Sequence, residues 1–108
     1  MILDNVNPND LFPTEKKGPS VLGDIEYNVK GEQRLYKGAY IATNERLILN
    51  VDMDGQFYYR NIGYNEIKSI SHDEQVINLS FEIGDFPIKN IEKGDVETFT
   101  SFVQQQMN

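Results

Sequence analysis

Hydrophobic and polar residues alternate along much of this chain, and the alternation is clearest at residues 46–53. There Leu47, Leu49, Val51 and Met53 fall on one side of an extended chain. A period of two residues is typical of a β-strand with one buried face. Similar patterns predict further strand segments at residues 25–30, 33–35, 39–43, 67–72, 76–83 and 86–91.

The segment NVDMDGQFYYRN, residues 50–61, matches several positions of a calcium-binding EF-hand loop. A calcium loop requires an acidic ligand at its twelfth position, where this chain has the neutral amide of Asn61, and it requires flanking helices. Asp54-Gly55 between two strand patterns instead favours a type I′ hairpin turn. The sequence therefore predicts a hairpin and no metal site, with Met53 paired to Gln56, Val51 to Tyr58 and Leu47 to Ile62.

Two features near the end of the sheet pattern predict its last turn and strand. Gly84-Asp85 resembles a second hairpin turn. Pro87 follows it and lacks a backbone donor, so the strand at residues 86–91 is expected at a sheet edge or with its first donor unpaired.

After Asn90 the apolar period lengthens to between three and four residues, which indicates an amphipathic helix. Gly94-Asp95 provides its start. Such a helix packs across the open mouth of a curled sheet, and we expect Phe99 and Phe102 to fill that mouth. The predicted fold is mainly β: a curled antiparallel barrel of about seven strands capped by one C-terminal α-helix.

Residues 1–23 interrupt any regular period because Pro8, Pro13, Pro19, Gly18 and Gly23 are scattered through them. The sequence predicts an irregular N-terminal arm over residues 1–23 and a single domain over residues 24–108. A chain of 108 residues is long enough to bury one core.

Residues 31–51, which centre on Thr43-Asn44-Glu45-Arg46-Leu47, and residues 62–70 resemble segments of bacterial pleckstrin-homology-like (PH-like, GRAM-like) domains. The run GEQRLYKGAYIATNERLILNV, with Thr43-Asn44-Glu45-Arg46-Leu47 at its centre, is similar to their T-N-x-R-L hairpin. Residues 62–70 are similar to their I-x-Y-x-x-I-x-x-I strand, and the resemblance extends over about residues 31–105. It implies the PH-like barrel, with Thr43-Asn44 building a turn, Asn44 tolerating left-handed geometry and Arg46 paired nearby.

The resemblance does not extend to lipid binding. Eukaryotic relatives that bind phosphoinositides use Lys and Arg between their first two strands, and the matching region here has only Arg34 and Lys37, beside Glu32. A net charge of −7 also repels nucleic acid and anionic membranes on average. We therefore expect no nucleic-acid partner and no membrane association.

The composition limits the metal sites and catalytic groups that the chain can form. The chain has no cysteine, and its only histidine, His72, lacks the second His or Cys that zinc sites usually need. We interpret His72 as a surface residue at a strand end. No nucleophile motif or phosphate-binding loop occurs, so the sequence predicts no catalytic residue, no cofactor, no metal and no small-molecule substrate. The N-terminus resembles neither a secretory signal nor a membrane anchor, and a cytoplasmic location is expected.

Phe57, Tyr58 and Tyr59 are consecutive aromatics in one strand. Because alternate residues point to opposite faces, they cannot all point inward. Either the N-terminal arm, another layer or a symmetric copy covers the outward pair, or a partner binds it. Phe57 and Tyr59 are the predicted partner-binding residues.

These observations leave three functional hypotheses. The first is a non-catalytic protein-interaction or scaffold module that binds a partner protein or its own copy. The second is a small acidic inhibitor or immunity protein that covers a basic partner surface, with the net charge steering association. The third is a lipid headgroup-binding domain, which the net charge disfavours.

Overall fold

The computed structural model describes residues 3–107. Within them, eight β-strands and one α-helix follow in chain order: β1 (Lys17–Val29), β2 (Glu32–Thr43), β3 (Leu47–Met53), β4 (Gln56–Ile62), β5 (Ile67–His72), β6 (Ile77–Phe81), β7 (Gly84–Asp85), β8 (Ile88–Lys93) and α1 (Val96–Met107). Short 3₁₀ helices lie at Pro8–Asp10 and Tyr64–Glu66. No helix in this part of the chain has both the length and the apolar character needed to cross a bilayer.

The strands form one curled antiparallel sheet in the order β4-β3-β2-β1-β8-β6-β5, and the two-residue β7 pairs with β6. Strand β1 lies in the middle of this order because it pairs with β2 on one side and with β8 on the other. β4 and β5 are the two ends of the order and are not hydrogen-bonded to each other. This half-barrel with a C-terminal helix confirms the predicted fold class.

The β3–β4 hairpin confirms the predicted register, with Met53 opposite Gln56, Val51 opposite Tyr58 and Leu47 opposite Ile62. Asp54 and Gly55 both have positive φ, 54° and 92°, as a type I′ turn requires. The side chain of Asp52 accepts a hydrogen bond from the Gly55 amide at 2.8 Å. Strands flank this turn on both sides, where an EF-hand would have helices.

Helix α1 closes the curled sheet over a single apolar core. The Asp95 side chain accepts a hydrogen bond from the Thr98 amide at 2.8 Å and caps the helix start, as predicted. Phe99 and Val103 are fully buried in the core, and the Phe99 ring lies 6.5 Å from that of Tyr40. Phe99 therefore fills the mouth of the barrel.

The prediction that Phe102 also fills the mouth is wrong. Phe102 is only half-buried and packs at the side of the core. Its ring rests on β1 at Gly18, where an added Cβ would stand 2.9 Å from Phe102 Cζ. Glycine at this position makes the close approach of the ring possible. Phe102 consequently fixes the side of the helix to the sheet.

The predicted irregular structure is wrong for residues 17–23, which belong to β1. Pro19 is tolerated because the β1–β2 register shifts between Lys17 and Ser20, so a regular ladder is not required there. The two strand segments predicted at residues 33–35 and 39–43 are in fact one strand, because β2 runs without interruption from Glu32 to Thr43.

The predicted turn at Gly84-Asp85 is displaced by two residues. Phe81 pairs with Gly84 and Ser80 with Asp85, so the turn lies at residues 82–83, and Ile83 is exposed instead of sharing a buried face with Phe81. In β5 a register shift between Ile67 and Ser69 breaks the alternation. Ile67 and Ile70 are therefore both buried, which a strict two-residue period does not predict.

We expect Phe99→Ala to lower the free energy of unfolding by about 3–5 kcal/mol, because it removes a fully buried aromatic ring and leaves a cavity. Phe102→Ala is the matched comparison and should cost clearly less, since its ring is only half-buried. Equilibrium urea denaturation of both variants measures the difference. A larger loss for Phe102→Ala would contradict the assignment of Phe99 as the residue that fills the barrel mouth.

Candidate functional site

Residues 38–43 of β2 and residues 47–51 of β3 are buried on both faces of the sheet. On the core face lie residues such as Tyr40 and Leu49, whereas Ile41 and Ile48 pair with each other on the opposite face and are also fully buried. We call this second side the outer face. Residues 3–16, the docked segment, lie on it, and the Asn50 side chain of the outer face donates a hydrogen bond to the Leu3 carbonyl at 2.9 Å.

A buried ion pair holds the docked segment in place. Arg46 Nε donates to Glu15 Oε2 at 2.8 Å and Arg46 Nη2 donates to Glu15 Oε1 at 3.0 Å. The side chains of Arg46 and Glu15 are 8% and 0% exposed. Such a two-point contact fixes the orientation of both planar groups as well as their distance.

The remaining hydrogen-bonding capacity of the pair is also used. Arg46 Nη2 donates to the Asp10 carbonyl at 3.0 Å, and Arg46 Nη1 donates to Asn61 Oδ1 at 2.7 Å. The guanidinium carbon lies 4.3 Å from the centre of the Phe12 ring, within reach of a cation–π interaction. Arg46 therefore joins the docked segment to β4 through one side chain.

Thr43 and Asn44 complete the attachment. Thr43 Oγ1 donates to Glu15 Oε2 at 2.6 Å. Asn44 Oδ1 accepts from the Lys16 amide at 2.6 Å, and Asn44 Nδ2 donates to the Thr14 carbonyl at 3.1 Å. The predicted pairing of Arg46 is correct. The predicted left-handed role of Asn44 is wrong, because only Lys30, Asp54 and Asn90 have positive φ among the described non-glycine residues.

Burial, hydrogen bonds and the nearby charge of Arg46 together set the pKa of Glu15. Burial opposes the charged carboxylate and raises the pKa, but hydrogen bonds from Arg46, Thr43 and the Phe12 amide, together with the charge of Arg46, outweigh it. The result is a pKa lowered from 4.5 to about 2. The same contact with Glu15 raises the pKa of Arg46, against the opposing effect of burial.

The predicted partner-binding residues Phe57 and Tyr59 lie on the outer face of β4, and Tyr59 lines a shallow cavity together with residues of the docked segment. They stand opposite Asp52 and Asn50 of β3, and their exposed fractions are 51% and 50%. The Tyr59 hydroxyl accepts a long hydrogen bond from Arg46 Nη1 at 3.3 Å. About half of each aromatic side chain remains exposed to solvent. We call Phe57 and Tyr59 together the aromatic pair.

The two basic residues of β2, Arg34 and Lys37, are both paired with carboxylates. Arg34 pairs with Glu32 at 3.5 Å, and Lys37 pairs with Glu92 at 3.0 Å and with Asp24 at 3.8 Å. His72 is exposed at the end of β5, as predicted, and its Nδ1 lies 3.3 Å from the Asp73 carbonyl oxygen.

The sequence did not reveal Glu15 or a group around Tyr27 as candidates. Glu15 lies in a segment without regular period, so no pattern marks it as buried. Tyr27 lines a cavity on the core face of β4 together with Tyr58 and Arg60. The only signal for this group was that Tyr58 alternates with Phe57 and Tyr59 and must therefore point inward.

Comparisons with known proteins agree with this fold. Residues 23–105 match a family model described as the bacterial PH domain. The crystal structure of the C-terminal domain of an unknown protein from Leishmania infantum is similar, with a TM-score of 0.60, 18% identity, and coverage of 87% of this chain and 86% of that chain. At this identity the likeness concerns the fold alone. No curated protein matches the sequence.

We expect Glu15→Gln to lower the free energy of unfolding at pH 7 by about 3 kcal/mol, because it leaves the buried Arg46 guanidinium without a charged partner. The control is Glu32→Gln, which removes a surface carboxylate paired with Arg34 and should change stability little. Chemical denaturation of both variants gives the comparison. Equal stability of the two variants would show that the Glu15–Arg46 pair does not hold the docked segment.

The same pair predicts a pH dependence. The folded pKa of Glu15, about 2, lies below its ordinary value of 4.5, so the unfolded state binds the proton more readily. The stability from this carboxylate is fully present above pH 4.5 and is lost as the pH falls from 4.5 towards 2. The difference between wild type and Glu15→Gln should therefore shrink over that range in denaturation series at several pH values. A difference that stays constant down to pH 2 would refute the assignment.

Proposed function

The chain belongs to the bacterial PH domain family, and we propose that it is a non-catalytic protein-interaction module whose contact surface is the aromatic pair Phe57 and Tyr59. The family and fold suggest a binding module. The observation that carries the specific proposal is that two adjacent aromatic side chains on an end strand remain half exposed beside the part of the outer face that the docked segment covers.

Rigidity supports this choice of surface. Tyr59 is held by Arg46, which the docked segment fixes in turn, and Phe57 stands opposite Asp52 in a regular antiparallel ladder. Aromatic residues in fixed positions bind with little loss of conformational entropy, and they are enriched at interfaces. The aromatic pair therefore has the properties of an anchor for a partner.

The charge around the aromatic pair favours a different protein over a second copy of this chain as the partner. Asp52 lies opposite Phe57, and Asp54 forms the adjacent turn. Two copies would each carry a net charge of −7 and repel one another on average. A different protein with an apolar contact surface therefore fits this surface better than a second copy does. A location in the cytoplasm remains part of the proposal.

The test compares how well two matched serine variants capture the native partner. We expect Phe57→Ser to abolish, or weaken at least tenfold, the capture of the native partner from host extract, because it removes one anchor. Leu35→Ser is the control, since Leu35 is equally exposed at 51% and lies on β2. Light scattering on the same proteins detects self-association as a mass above 12.4 kDa. Unchanged partner capture and mass in Phe57→Ser would reject the aromatic pair as the contact surface.

The acidic inhibitor hypothesis is the second candidate, and the net charge of −7 favours it. An inhibitor steered by charge associates with a basic partner quickly at low salt and much more slowly at high salt. Once the partner is in hand, association rates measured from about 0.01 M to 1 M salt separate the two candidates. A rate that falls by more than tenfold supports the inhibitor, and a flat profile supports an apolar interaction module.

A further inference from the structure

Strand β4 is one end of the sheet, and its second edge has no strand beside it among residues 3–107. It pairs with β3 alone, and no backbone group in that range hydrogen-bonds to the other edge. Such an edge presents a row of N–H and C=O groups that can pair with another extended chain. Residues 56–59 are exposed, whereas Ile62 is buried. The open part of the edge is therefore the half of β4 next to the turn at residues 54–55.

The hairpin geometry identifies the unpaired backbone groups. In a two-residue hairpin the residues that flank the turn, here Met53 and Gln56, exchange both hydrogen bonds, and such pairs alternate along the ladder with non-hydrogen-bonded pairs. Phe57 and Tyr59 belong to non-hydrogen-bonded pairs of this ladder. Their N–H and C=O groups consequently point away from β3, towards the open edge.

The other end of the sheet is protected. Strand β5 has a register shift between Ile67 and Ser69, and helix α1 packs against it. Gln104 Nε2 of that helix lies 3.5 Å from the Ile70 carbonyl oxygen. Strand β4, in contrast, pairs with β3 without a register shift over all seven of its residues. Because bulges and covering elements are the usual protection of an edge strand, the regular edge of β4 favours the addition of a strand.

Apolar surface lies on both faces of the sheet next to this edge. The aromatic pair lies on the outer face, and a cavity of about 70 Å³ lies on the core face, lined by β4 and the turn at residues 82–83. Leu49, Phe81 and Phe86 contribute apolar walls, and Tyr58 lines the cavity from β4. Successive side chains of a strand point to opposite faces. A strand added at this edge therefore directs one side chain towards the cavity and its two neighbours towards the aromatic pair.

The size and charge of the cavity limit the side chain that it accepts. A single water needs roughly 10–15 Å³ of such volume, so the space corresponds to about five waters. An aliphatic side chain such as that of leucine fits this space. The carboxylates of Glu66 and Glu82 line the cavity together with the guanidinium of Arg60, so the net negative charge disfavours an acidic side chain.

We propose that the open edge of β4 binds an extended segment of the partner protein as an additional antiparallel strand. The backbone of that segment exchanges hydrogen bonds with Phe57 and Tyr59. Its middle side chain is aliphatic and enters the cavity, and the two flanking side chains pack on the aromatic pair. Antiparallel pairing is slightly more stable per residue than parallel pairing. This inference rests on the proposed function, because it takes the aromatic pair as the contact surface and adds the form of the partner.

Amide hydrogen exchange tests whether the edge is open in the free protein. The amides of Phe57 and Tyr59 should exchange much faster than those of Tyr58 and Arg60, which face β3. Slow exchange at Phe57 and Tyr59 would overturn the proposal. A mass near twice 12.4 kDa in light scattering would then identify a second copy as the occupant of the edge.

The probe for binding is the blocked peptide acetyl-STVLVTK-amide, which places a leucine between two valines. It should bind with a dissociation constant on the order of 1 mM, because a short peptide must be ordered on binding. Binding should slow amide exchange at Phe57 and Tyr59 and shift the NMR resonances of Leu49 and Phe81 beside the cavity. Serine in place of the leucine should weaken binding at least tenfold, since it removes the aliphatic group. No change at these four residues would overturn the proposal.

Two N-methylated forms of the peptide separate strand addition from simple contact with the aromatic rings. N-methylation of the second valine removes a donor that faces β4 and should weaken binding at least tenfold. N-methylation of the leucine is the matched control and should change binding little, because its N–H points away from β4. Equal affinities of the two forms would reject strand addition. That result would leave the aromatic pair as a contact surface, which the capture assay with Phe57→Ser tests separately.

Discussion

The ion pair between Glu15 and Arg46 is the interaction on which the outer half of this structure depends. A guanidinium at this depth is stable only with a carboxylate and further acceptors around it. Every one of these acceptors except Asn61 and Tyr59 comes from the docked segment. The burial of Arg46 and the docking of the segment are therefore a single event, and the apolar outer face of β2 and β3 is covered only when that event takes place.

The sequence predicted the hairpin and the helix well because local chemistry and apolar pattern agree in both. Asp54-Gly55 permits the required positive φ, and the register it imposes matches the alternation of Leu47 to Met53. The prediction from sequence failed where burial depends on contacts with distant parts of the chain. Strand β1 starts at Lys17 despite Pro19 because β2 pairs with it, and the bulge in β5 buries Ile67 and Ile70 together.

The site was predictable to a lesser degree. Three consecutive aromatics in a strand indicated that one face of β4 carries Phe57 and Tyr59, and these two residues are indeed exposed. The buried role of Glu15 was not predictable, because its partners Thr43 and Arg46 lie about thirty residues away in the sequence. The hydrophobic pattern of neighbouring residues carries no information about contacts at that separation. Thr43-Asn44-Glu45-Arg46 was visible as a motif, but its function in holding residues 10–16 depends on three-dimensional proximity.

The position of β1 between β2 and β8 has a consequence for biosynthesis. Of the strands in this sheet, β1 is synthesised first and finds one neighbour immediately in β2, yet its pairing partners in β8 are made more than sixty residues later. Helix α1, which covers the core face, follows later still. A nascent chain therefore carries a half-finished sheet with one uncovered apolar surface, and such intermediates are prone to aggregation. Chaperone capture during synthesis would protect this surface until the last element is complete.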